Sequence, residues 1–82
     1  MDAVKFGQRV RQARVDAHYT RADLGKQLGL TAPFIGRIER GTRMMSVETM
    51  LQFCRLLHVS PEDLLIDSLT FLSNRPNPDT SP

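Results

Sequence analysis

The chain has 82 residues, of which 40% are hydrophobic and 24% charged, with a formal net charge of +2. That length suits one small domain burying about 60% of the surface its unfolded form exposes, which argues against a deep catalytic cleft. No apolar run approaches the roughly 18 residues of a membrane span, and the start lacks the basic-then-apolar pattern of a secretory leader, so a cytoplasmic protein is expected.

Phe6, Val10, Ala13 and Ala17 recur at helical spacing, which predicts a first helix from about Ala3 to His18. Thr20 offers an N-cap hydroxyl and Asp23 stands three positions on, so a second helix covers about Arg21 to Leu28 and stops at Gly29. Thr31 is the next cap, and Pro33 falls in the first turn, where a missing N–H is harmless. A third helix therefore runs from Ala32 to Arg40 and ends at Gly41.

Beyond the loop Thr42 to Met45, Ser46 caps a fourth helix whose apolar positions Val47, Met50, Leu51, Cys54 and Leu57 predict its buried stripe. Ser60-Pro61-Glu62-Asp63 joins a capping serine, a first-turn proline and two carboxylates at the positive end of the dipole. A fifth helix is predicted from Pro61 to about Leu72. Residues 73–82 hold three prolines and no apolar side chain able to join a core, so a folded domain over 1–72 and a flexible tail over 73–82 are expected.

The basic charge is uneven: residues 1–43 carry nine Lys/Arg against four Asp/Glu, the remainder two against five. The N-terminal half thus points toward a polyanionic partner. The single cysteine, Cys54, can form no internal disulfide, and without clustered His it marks no structural zinc, so neither metal nor cofactor is expected. There is no nucleophile beside a base and no phosphate-cradling glycine loop, so no enzyme is expected.

Five short helices with a brief turn between the second and third match a helix-turn-helix. The stretch Phe6 to Leu65 resembles the Cro and phage-repressor family, also called xenobiotic-response-element type. The likeness rests on the arginines of the first helix, Leu24-Gly25, Gly29-Leu30-Thr31, Ile35-x-x-Ile38-Glu39-Arg40-Gly41 and Val59-Ser60-Pro61-Glu62-Asp63-Leu64-Leu65. It implies an all-α, compact five-helix lambda-repressor-like domain that binds double-stranded DNA, a transcriptional regulator seated as a homodimer on an inverted-repeat operator, a repressor that occludes a promoter or else an activator that touches polymerase.

By that resemblance the third helix enters the major groove, and Ala32, Pro33 and Arg37 reach base edges. Arg37 alone can make a bidentate bond to guanine, whereas Ala32 and Pro33 offer apolar contact. Backbone contacts fall to Thr20, Arg21, Thr31, Phe34, Arg40, Thr42 and Arg43. Arg14 and Glu39 correspond to a structural ion pair tying the first helix to the third. Gly25 stands where the family usually has alanine, and Gly36 interrupts the recognition helix, either to admit a close DNA backbone or by neutral drift.

Ile66, Leu69, Phe71 and Leu72 exceed what one small helix buries beneath itself, so they are read as a self-association face. Met44 and Met45 either cover the core or touch a partner. Arg9, Arg11, Lys5 and Arg55 are read as solvated charges. The alternative to a self-contained regulator is a DNA-binding antitoxin or protein-interaction module of a toxin–antitoxin or restriction-modification control system, with a protein partner.

Overall fold

The computed structural model describes residues 1–68, and over them the element order is α1 (Ala3–Asp16), α2 (Arg21–Leu28), α3 (Ala32–Arg40), α4 (Val47–Leu57) and α5 (Pro61–Leu65). Each helix begins at a side-chain cap in extended conformation. Asp2 accepts from Val4 and Lys5 N–H, Thr20 from Asp23, Thr31 from Phe34, Ser46 from Thr49, and Ser60 from Asp63, the last completed by a reciprocal bond from Ser60 N–H to the Asp63 carboxylate. Such caps satisfy donors that no intrahelical carbonyl can reach.

α2, α3 and α4 end on left-handed residues: Gly29 at φ 69°, Gly41 at φ 82° and His58 at φ 57°. After α1 the left-handed residue is His18, at φ 63°. The helix itself stops at Asp16, two residues before the expected His18, because the chain must already turn for Tyr19 N–H to reach the Arg14 carbonyl.

All five helices contribute to one core of Phe6, Val10, Leu24, Ile35, Ile38, Phe53, Cys54 and Leu64. On α4 the predicted stripe is corrected: Phe53 is fully buried, whereas Val47 is 69% and Leu51 41% exposed. The inward face runs through Met50, Phe53, Cys54 and Leu57, the i, i+3, i+4, i+7 set, which leaves Leu51 on the flank and Val47 at the open first turn. Met45 packs against the core, as one reading of the pair expects, while Met44 stays exposed.

α1 and α3 approach closely at Gly7, where a Cβ would fall on the carbonyl oxygens of Ile38 and Glu39. The fifth helix is shorter than predicted. It ends at Leu65 and passes into a turn over 66–68, from which the Ser68 hydroxyl donates to the Asp2 carbonyl at 2.9 Å. Ile66 is exposed. Leu69, Phe71 and Leu72, the rest of the expected self-association face, and the expected tail over 73–82 lie outside the described residues. No described helix is long and apolar enough to cross a membrane.

Candidate nucleic-acid interface

The α2–α3 unit is set by its turn. Leu30 N–H bonds to the Gly25 carbonyl at 2.9 Å, and a Cβ on Gly25 would collide with the Leu30 carbonyl oxygen, so the turn folds back onto a position that has no side chain. The apolar edge of α3, Ile35 and Ile38, is buried against α1 and α2. Periodicity then directs Pro33, Arg37 and Arg40 outward, and all three are exposed.

Glu39, also on the inner side, holds the helix in register. Arg14 Nε donates to Glu39 Oε2 at 2.6 Å and Arg14 Nη2 to Oε1 at 3.1 Å, while Nη1 reaches the Tyr19 carbonyl at 2.9 Å. A second guanidinium joins from α2, where Arg21 Nε donates to Glu39 Oε1 at 3.0 Å. The expected ion pair of two residues is therefore a triad spanning three helices. Arg14 and Glu39 are nearly excluded from water, whereas Arg21 keeps 43% of its side chain exposed. Such a hydrogen-bonded arrangement is the form in which a buried charge is tolerated.

Arg21, Ala32, Pro33, Gly36, Arg37 and Arg40 line a shallow groove of about 420 Å³. No carboxylate lies among them. Among the described residues Arg37, Arg40 and Arg43 pair with no acid, so the outer edge of α3 carries concentrated positive charge. Thr20 and Thr31 are exposed beside it, each accepting a cap bond and keeping its hydroxyl hydrogen free. Phe34 is half-buried and packs on the core, which leaves only part of its ring facing outward. Thr42 gives its hydroxyl hydrogen to the Arg37 carbonyl at 3.2 Å, alongside its own N–H at 3.0 Å, and so closes the end of α3.

Two features are not visible in the sequence: Arg21 is half committed to Glu39 rather than free, and Gly36 is buried beneath arginine side chains. Arg9 is exposed, as expected of a solvated charge, and in addition pairs with Asp67 at 2.6 Å. A glycine inside a helix is itself a signal of close approach, because it is disfavoured there without one. Away from the groove, burial pushes the Cys54 thiol up, with Asp63 adding to the effect, as befits an inert core thiol. Among the described residues no three His, Cys, Asp or Glu side chains gather to hold a metal.

Two helices joined by a tight turn, the second anchored behind and cationic in front, make a unit built to enter a groove of duplex nucleic acid. Residues 5–65 match the helix-turn-helix domain family. The chain is 33% identical over 64 residues to an uncharacterized HTH-type transcriptional regulator, YazB, of Bacillus subtilis, covering 78% of this chain and 93% of that protein. It is 38% identical over 61 residues to the control protein C.BamHI of Bacillus amyloliquefaciens, covering 73% and 75% respectively. Among solved structures, the restriction-modification controller C.AhdI from Aeromonas hydrophila superposes with a TM-score of 0.70 at 35% identity, over 77% of this chain and 96% of that one. The clp gene regulator ClgR of Corynebacterium glutamicum, at 24% identity and a TM-score of 0.75 over 85% and 90%, shares the fold. The chain belongs to the helix-turn-helix domain family of DNA-binding transcriptional regulators, of the Cro/C type.

Proposed function

We propose that this protein is a sequence-specific regulator that binds an inverted-repeat operator as a homodimer, with half-sites about one helical turn, roughly 34 Å, apart. The observation that carries the reading is the outer edge of α3, where Arg37 stands between Pro33 and Arg40 on a helix fixed from behind by Glu39. Arg37 reads guanine O6 and N7, and Ala32 and Pro33 meet thymine methyls. Arg21, Arg40 and Arg43, with Thr20, Thr31 and the exposed rim of Phe34, hold the sugar-phosphate backbone and fix register, while Thr42, expected there too, spends both its donors on the Arg37 carbonyl.

Ile66, with Leu69, Phe71 and Leu72, supplies the dimer face. The protein acts in the cytoplasm, without cofactor or catalytic chemistry, and represses by occluding a promoter. A mobility-shift assay on DNA upstream of its own gene tests the reading: a salt-sensitive shift of one discrete complex is expected, and no shift at low salt on any promoter-proximal duplex refutes it.

The similarity to two controller proteins, at 38% and 35% identity, favours a more specific role as the control protein of a restriction-modification system. That role requires specific binding to a promoter region shared with a nuclease or methyltransferase gene. If the selected operator lies elsewhere, the general regulator stands and the controller role falls. A stoichiometric small protein co-purifying from the native host would instead mark an antitoxin.

A further inference from the structure

Gly36 has ordinary helical backbone angles, so nothing in the chain path demands glycine, yet it sits buried in the middle of α3. The space its side chain would fill is covered by two cations. An added Cβ would lie 3.2 Å from Arg40 Nη1, 3.7 Å from Arg21 Nε and 3.8 Å from Arg21 Cδ. Arg40 is one turn along the same helix, while Arg21 arrives from α2 and is steered by its bond to Glu39. The tip of Arg40 and the Nε end of Arg21 therefore border the same spot at the edge of the groove; Glu39 takes up Arg21 Nε, whereas no acid among the described residues pairs with Arg40 or with the terminal nitrogens of Arg21.

We propose that Gly36 is a positioning residue whose missing side chain lets Arg21 and Arg40 close on a single backbone phosphate of duplex DNA. The proposal rests on the DNA-binding reading above and adds to it a defined two-guanidinium clamp, built across α2 and α3, and the residue that shapes it. Arg21 uses Nε on Glu39 and keeps both terminal nitrogens for the phosphate. Arg40 brings its Nη1 to within 3.2 Å of the place of the absent Cβ and donates from the other side. Two guanidinium forks on one phosphate give charge-assisted bonds with fixed geometry.

The test is Gly36→Ala, read on a random-sequence duplex of about two helical turns, because phosphate contacts need no operator. Alanine is the better helix former, and the atom it displaces is the far end of a flexible side chain. Its Tm should rise, by up to about 4–8 °C. Affinity for the duplex should nonetheless fall about five- to tenfold, and the salt slope should shrink by about 0.9 per protomer. Arg40→Ala should lower affinity similarly in the wild-type background and add little once Gly36→Ala is present, which a purely structural role for glycine would not produce.

Unchanged affinity and slope in Gly36→Ala overturn the clamp. So does a fall in its Tm, since displacement of Arg40 alone leaves the helix pair intact. If the wild-type protein itself fails to bind the duplex at low salt, the DNA-binding reading fails first and the clamp falls with it.

Discussion

Arg14 and Glu39, 25 residues apart in the chain, meet through two nitrogen–oxygen bonds of 2.6 and 3.1 Å with their side chains only 10% and 1% exposed. Removal of either leaves a buried charge, but the two losses differ because Arg21 contacts only the carboxylate. Glu39→Ala strands Arg14 and should destabilise the fold by about 3–5 kcal/mol. Arg14→Ala leaves Glu39 still paired with Arg21 and should fall at or below the lower end of that range. Urea denaturation of both variants measures the order, and an equal or reversed loss contradicts the triad.

Arg37 and Arg43 should separate by function. Selection of bound sequences from a random DNA pool should show that Arg37→Ala loses discrimination at one G·C pair per half-site, worth about 1–3 kcal/mol, with other positions unchanged. Arg43→Ala should weaken every sequence alike and reduce the salt slope. Two variants that merely lower affinity evenly would dismantle this division of roles.

Gly7 is where α1 touches the backbone of α3, and the atoms in the way of a Cβ are carbonyl oxygens rather than movable side chains. Gly7→Ala should therefore lower stability by about 1–3 kcal/mol, against the usual gain from alanine in a helix. A Tm at or above the wild-type value would show that the two helices part more easily than their packing implies.

The Arg9 hydrogen bond holds the Asp67 carboxyl below the ordinary carboxylate range. A carboxyl whose pKa is lowered by folding adds stability above its unfolded pKa, near 4, and that stability drains away as pH falls through the lowered native value. Asp67→Asn should accordingly be less stable than wild type at pH 6, and the two should converge as the pH drops below about 4. Urea midpoints across that interval read the difference; a gap that persists or widens in acid contradicts the sign. Both side chains are well exposed, 44% and 42%, so the effect is small.

The bounds of α2, α3 and α4 were legible because each opens on a hydroxyl cap and closes on a glycine or at His58, signals carried by one or two adjacent residues. The end of α1 was not, since His18 adopts a left-handed conformation that its residue type does not advertise. Phe53 cannot be singled out on α4 by spacing, because several apolar sets share helical periodicity there, and only the packing of the other helices selects among them. Apolar content predicts a fifth helix longer than the one that ends at Leu65, since it cannot reveal that Ser68 turns back to Asp2 across 66 positions of sequence. In the interface, the pairing of Arg14 with Glu39 came from family resemblance. The share that Arg21 takes in it, and the cover it forms over Gly36, are many-body arrangements that no short motif encodes.

Glu39 joins α3 to two other helices at once, so the reading edge has the rigidity of a tripod. Under the proposed DNA-reading role, a helix braced in this way resists tilting toward an unfamiliar base pair. Its preferences can then drift only by exchange of the side chains it shows to the solvent, while the brace behind them is left alone. New operators would be learned by repainting the face of the gauge, never by bending it.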